Sequence, residues 1–370
     1  MSERHPTGAA LAALLPLAAL LLALVTACSS PAQPRAGSRE SADTQPGHPA
    51  SSVAASKPSA PAGSGSVTTG GPPAGCNRAT ERVSTAAQLT AALANAKPGT
   101  TITMAPGVYQ GDFVATASGT SSAPISLCGT RSAILSGLSV TSGYAFYLDH
   151  ASWWQLDGFT VTGGQKGVMA DASDYDVIYG LYVHGVGDEA IHLRSFSSHD
   201  VVSHNLVRDT GLHVQFYGEG IYVGSAHKNW CRYTGCNPDG SNDDTIIDND
   251  IADTTAENID IKEGTSGGTI AGNTLDGAGM VESAATAWIN VKGNYWTIVD
   301  NVGVDSIRDG YQVHQVYPGW GIGNTFQNNK ATLSGTGVGF YVQSHNLQTF
   351  VGCNNEVTGA QLSNLQCQST

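Results

Sequence analysis

The chain has 370 residues, 45 of them glycine, with 13% charged and 7% aromatic residues and a formal net charge of −13. That balance excludes a nucleic-acid partner, since phosphate binding needs basic stripes that this chain lacks. It points to one long β-rich body with many turns, and a monomer is expected.

The first residues are a targeting segment. Arg4 precedes an apolar run from Ala9 to Val25, and Val25-Thr26-Ala27-Cys28 leads small residues into a cysteine. This resembles a bacterial lipoprotein signal over residues 1–28, with Cys28 as the lipidated first residue of the mature protein. An ordinary secretory signal cut nearby is the alternative. Both imply export, either to the bacterial cell surface with a lipid anchor in the membrane or to the medium. Residues 29–75 are rich in Ser, Pro, Ala and Gly, cannot bury enough apolar surface to fold, and read as a tether reaching roughly 35–40 Å. Residues 76–370 form the folded domain. Its six cysteines read as three disulfides, and sequence neighbourhood favours Cys76–Cys128, Cys231–Cys236 and Cys353–Cys367 among the possible pairings.

Ser84 reads as the N-cap of an Ala-rich helix ending at Ala96, with Leu89 and Leu93 on one face. An apolar face at this point suits a lid over the first coil of a stack. The chain continues Pro98-Gly-Thr-Thr-Ile102-Thr-Met104-Ala-Pro-Gly107-Val-Tyr109, then Ser122-Ala-Pro124-Ile-Ser-Leu127 and Ala133-Ile-Leu135.

One strand pattern then recurs, mostly behind a carboxylate: Glu189-Ala-Ile191-His-Leu193-Arg194, Glu219-Gly-Ile221-Tyr-Val223-Gly224, Glu257-Asn-Ile259-Asp-Ile261-Lys262, Ala287-Trp-Ile289-Asn-Val291-Lys292, Asp309-Gly-Tyr311-Gln-Val313-His314 and, more loosely, Val338-Gly-Phe340-Tyr-Val342-Gln343. A second register places Gly158, Gly180, Asn205, Asn249, Asn273, Asn301, Asn329 and Asn354 at intervals of 22 to 28 residues, with one of 44 that marks an insertion. Short strands at this period predict an all-β parallel β-helix. Two columns of the repeat, Ile191 to Tyr311 and Leu193 to Val313, are expected inside; the residues between them, His192, Tyr222, Asp260, Asn290 and Gln312, are expected in solvent.

The insertion, Ala226 to Asp244, carries His227, Lys228, Trp230, Arg232 and Tyr233 around Cys231 and Cys236. Trp230 and Arg232 suit stacking on sugar rings and holding a polyanion, while a disulfide-braced decorative loop is the bland alternative. Stacked asparagines read as structural ladders, and the acidic column as either strand capping or metal binding.

The order of helix, Pro-Gly-Thr-Thr-Ile with Pro-Gly-Val-Tyr, and Ala-Pro-Ile-Ser-Leu resembles the opening of exported right-handed β-helix proteins, notably the polysaccharide lyase family of chondroitinase B and alginate lyases. That resemblance implies that the fold is a right-handed parallel β-helix. It also implies β-elimination on a uronic-acid polysaccharide, which needs a base, a group that neutralises the uronate carboxylate, and a proton donor. Lys262 and Lys292 should be neighbours on adjacent coils, and such a cation can depress a lysine pKa toward neutrality. In that family a calcium-binding Glu lies five residues before the lysine base, as Glu257 does before Lys262, and Lys292 takes the place of an assisting arginine. The resemblance therefore implies Lys262 as base, Lys292 as acid or carboxylate neutraliser, and Glu257 as a Ca2+ ligand, with Glu219 able to add an oxygen. Two positions depart from the pattern: Thr255 stands where a second calcium carboxylate is expected, and a lysine stands for the arginine. His314 is a candidate for proton transfer, and Tyr222, Asp260, Asn290 and Gln312 for binding an acidic polysaccharide. A glycoside hydrolase using a carboxylate pair on the same fold, or a non-catalytic glycan-binding surface protein, are the rival readings.

Overall fold

A computed structural model describes residues 74–369. They form 31 short strands in three parallel sheets of eleven, ten and ten strands, each strand pairing with its equivalents on adjacent coils. The result is an all-β parallel solenoid of right-handed type with about 10 turns, the hand that parallel crossovers adopt. The signal segment, Cys28 and the linker lie outside the described residues, except that Ala74 and Gly75 belong to a 3-10 turn over Ala74–Asn77.

The repeat sets the register. Ile191, Ile221, Ile259, Ile289 and Tyr311 are successive partners, as are Leu193, Val223, Ile261, Val291 and Val313. Both columns are fully buried, so each coil completes its core only against its neighbours.

The asparagine register resolves into two adjacent columns. One is a true ladder, Asn205, Asn249, Asn273, Asn301, Asn329 and Asn355. Each carboxamide oxygen accepts the backbone N–H of the preceding coil, as Asn301 Oδ1 does from Asn273 at 2.9 Å. The neighbouring column, Gly158, Gly180, His204, Asp248, Gly272, Asp300 and Asn328, holds the left-handed residue of the turn. Gly158 and Gly180 belong to this column, and Asn355 replaces Asn354 as the last rung.

A second ladder is acidic. Asp176, Asp200 and Asp244 each accept one backbone N–H from the coil before, at 2.7, 2.7 and 2.9 Å, and are buried. Their other oxygens have no partner.

Helix α1 (Ala86–Ala94) buries Leu89, Ala92 and Leu93. Its N-cap is Thr85 and not Ser84: the Thr85 hydroxyl accepts the Gln88 N–H at 3.2 Å, while Gln88 Oε1 accepts the Ser84 N–H at 2.8 Å. The disulfides are Cys76–Cys128, Cys231–Cys236 and Cys353–Cys367.

Candidate active site

His192, Tyr222, Asp260, Asn290 and Gln312 stand side by side on five successive strands of one sheet, on the face turned from the core. They were expected in solvent, yet all five are buried. The reason is pairing across coils and cover from loops. Gln312 donates to Asp309 Oδ2 at 2.8 Å and Thr286 Oγ1 at 2.9 Å, and Tyr233 of the insertion lies 3.8 Å over the Arg194 guanidinium.

Asp260 is the centre of the site. Lys262 Nζ lies 2.5 Å from its Oδ2, and Lys292 Nζ donates to its Oδ1. Two like charges on neighbouring coils are thus offset by one carboxylate. Burial opposes that carboxylate, but the two ammonium groups outweigh burial and hold the Asp260 pKa below its ordinary range. Burial pulls Lys262 down, yet Asp260, Tyr222, Glu219 and Glu257 outweigh it and raise the amine well above its ordinary value. This corrects the expectation of a depressed lysine: Lys292 does not lower Lys262 because Asp260 sits between them. Glu257 takes an N–H from Asn290 at 3.0 Å and lies 3.9 Å from Lys292. His314 Nδ1 meets Asn290 Oδ1 at 3.0 Å.

Beside this cluster a cleft of about 430 Å³ opens over Tyr222, Lys262, Glu219 and His192. Lys262 Nζ stands 4.8 Å from the Tyr222 ring centre, and the His192 ring meets Tyr222 edge-on at 4.3 Å. Burial pushes the Tyr222 phenol well up, which keeps it a proton donor. Burial also raises Glu219, and Glu189 and Glu257 add to it, while its Oε2 is unpartnered. Glu189 is tied to Lys166, and Arg194 grips Asp171 with two hydrogen bonds of 2.7 Å.

The predicted residues therefore divide. Lys262, Tyr222, Glu219 and Arg232 line the cleft, whereas Lys292, Asp260, Glu257, Asn290, Gln312 and His314 are not among its lining residues. Trp230 is a correction: it is 6% exposed, its indole N–H donates to the Ser225 carbonyl at 2.9 Å, and its ring packs on Tyr317, so no face is open to a sugar. The cleft residues Lys166, Phe216 and Tyr217 are not legible in the sequence as sugar contacts, whereas Tyr233 belongs to the insertion whose aromatics suit that role. Lys166 begins the strand Lys166–Asp171, whose Lys-Gly-Val-Met lacks the leading carboxylate of the repeat. Its pairing with Tyr144 and Glu189 emerges only from the stacking.

Glu219, Glu257 and Asp260 bring carboxylate oxygens within 4.8 Å of one another. They do not fit calcium. Lys262 and Lys292 occupy both Asp260 oxygens, Asn290 and Lys292 flank Glu257 Oε1, and two ammonium groups repel a dication that needs six to eight oxygens. Thr255 gives its hydroxyl to the Gln215 carbonyl at 2.9 Å.

No protein-family model matches the chain, and no curated protein matches it. Among solved structures it is similar to an alginate lyase from Paenibacillus sp. str. FPU-7, at 34% identity and a TM-score of 0.72 over 77% of this chain and 98% of that one. The pectate lyase Pel9A aligns at 15% identity and TM-score 0.55, over 75% of this chain and 72% of its own. A polygalacturonase from Erwinia carotovora ssp. carotovora aligns at 13% and 0.56, over 83% and 99%. The last two share the fold alone. The chain belongs to the β-helix polysaccharide lyases, the family of that alginate lyase.

Proposed function

We propose that the protein is an exported lyase that cuts a uronic-acid polysaccharide by β-elimination, with alginate the first substrate to test. The observation that carries this reading is the pairing of Lys262 and Tyr222 on the floor of a cleft rich in cations. As base, the Lys262 amine takes the proton at C5 of the uronate; the electrons of that C–H bond form the C4=C5 double bond, and the C4–O bond breaks. Tyr222, kept protonated, gives its phenolic proton to the departing oxygen. Lys228 and Arg232 face the uronate carboxylates. Lys292 serves as the second partner of Asp260 and not as the acid, because it is absent from the cleft lining.

The test is the ultraviolet absorbance of unsaturated uronates released from alginate, pectate, dermatan or hyaluronan. Lys262→Ala and Tyr222→Phe are expected to lower the rate by roughly 10²–10⁴-fold. Saturated products, or wild-type rates in Lys262→Ala, would overturn the assignment. A chelator is expected to leave the rate unchanged, since lysines already take both Asp260 oxygens at the centre of the carboxylate cluster; loss of activity with chelator and its recovery with calcium would refute this.

Export and attachment through Cys28 belong to the same reading, which the three disulfides support as a mark of an oxidising compartment. Cys28→Ser should release the protein from membranes. In the same proposal α1, packed on strands of the first coil, shields that open end.

A further inference from the structure

Two loops flank the strand Ile221–Val223, one before it and one after it. The loop before it, Leu212 to Tyr217, presents Leu212, Phe216 and Tyr217 at 59%, 57% and 51% exposure. Side chains of this size are rarely left together in water without a partner. The loop is fixed at its base. His213 N–H and Val214 N–H donate to the Gly187 carbonyl at 2.8 and 3.3 Å, and Thr255 and Thr210 donate to the carbonyls of Gln215 and Gly218 at 2.9 and 2.5 Å. Gly211 and Gly218 let the two legs close on Thr255, where a Cβ would come within 1.8 and 1.9 Å of its hydroxyl. Phe216 and Tyr217 line the same cleft as Lys262 and Tyr222.

The loop after the strand places Lys228 and Arg232 on the cleft. Neither is in an ion pair among the described residues. The groove therefore has an apolar rim at one end of its floor strand and an unpaired cationic rim at the other.

We infer that Phe216 and Tyr217 form a stacking subsite for the C–H face of a uronate ring beside the one that is cleaved, with Lys228 and Arg232 opposite to hold carboxylates of the same chain. The occupant is a uronic-acid polymer and not an apolar partner, because the aromatic rim is continuous with a cleft that also carries the unpaired cations Lys228 and Arg232. This rests on the proposed function and adds a chain-length requirement to it: affinity grows when the polymer reaches the rim.

The test uses the full chain with Phe216→Ala, Tyr217→Ala and the double variant, and with Tyr295→Ala as an exposed aromatic off the cleft. The melting temperature of each should match the wild type. The double variant is expected to raise KM for polymer on the order of tenfold while kcat stays within about twofold, with a smaller effect on the shortest oligosaccharide that is cleaved. Electrophoresis through a gel containing alginate, in the Lys262→Ala background, should show weaker retention for the double variant and none of that loss for Tyr295→Ala. Wild-type KM and retention in the double variant would overturn the subsite while leaving the lyase reading intact. Retention lost with the double variant but no cleavage of any uronate polymer by the wild type would keep the subsite and overturn the chemistry. Neither cleavage nor retention would overturn both.

Discussion

On the proposal that Lys262 is the base, Asp260 bears on catalysis without touching the cleft. By holding Lys262 protonated it delays the appearance of the free amine, so the rate should climb toward alkaline pH. A lysine raised above its ordinary pKa becomes a base only as pH rises through that raised value. Asp260→Asn removes the main source of the elevation, and the ascending limb of the kcat/KM profile should move to lower pH; a limb that stays in place would sink the role of Lys262. Glu219 offers a second test of charge state. If the carboxyl acts neutral, only as a hydrogen-bonding acid, Glu219→Gln should keep most activity, whereas Glu219→Ala should lose it. Equal loss in both variants would show that an ionised carboxylate is needed. The sequence made Asp260 and Lys262 visible as residues of one face, because a two-residue period assigns faces, whereas Glu257 falls outside that period and entered through its spacing in the resembled family. It left their charge states illegible, since these depend on two lysines converging on Asp260 and on burial by distant loops.

The coil is a unit closed by its turns, and the asparagine ladder is what closes it. Asn301 accepts from the backbone and side chain of Asn273 and donates to the Ile270 carbonyl and to Asn329. Asn301→Ala leaves the buried Asn273 N–H without its partner and removes one of the bonds to the Ile270 carbonyl. It should cost about 1–3 kcal/mol in denaturant unfolding with little change in rate at 25 °C. A stability within a few tenths of wild type would mean that water replaces the rung. The ladder was legible as a period, but its end was misplaced at Asn354 because Asn354 and Asn355 are adjacent and composition cannot separate two neighbouring columns. The first coils were hard to align for the same reason: Gly158 and Gly180 share the left-handed turn with Asp300 and Asn328, not the amide rung. Trp230 was misread for a different cause. An aromatic in an insertion looks available for sugars until Tyr317, from a loop 87 positions later, is seen to cover it.

The whole solenoid carries a line of buried acids that its fold tolerates rather than requires. Burial raises Asp176, Asp200 and Asp244 well above the ordinary carboxylate range, and for Asp200 the flanking Asp176 and Asp244 add to it. The native state thus holds protons that the unfolded chain releases. The contribution of these three groups to stability is most favourable below the unfolded carboxylate pKa of about 4 and falls as pH rises toward their folded values. An amide avoids this, and Asn324 shows how: in the same sheet it accepts the Trp296 N–H at 2.8 Å and donates to the Gly293 carbonyl at 3.0 Å. Asp200→Asn should therefore raise the melting temperature at pH 8, with the gain fading near pH 4. A gain independent of pH would assign the effect to packing. Asn205 and Asn249 are 44 residues apart, an ordinary coil with its insertion, yet the two asparagines still bond as if one ordinary coil lay between them, at 3.0 Å. The insertion is in effect a cassette plugged into a socket that does not sense its length. Relatives of this protein could exchange that wall wholesale, altering which polymer is gripped while the stack beneath keeps its register.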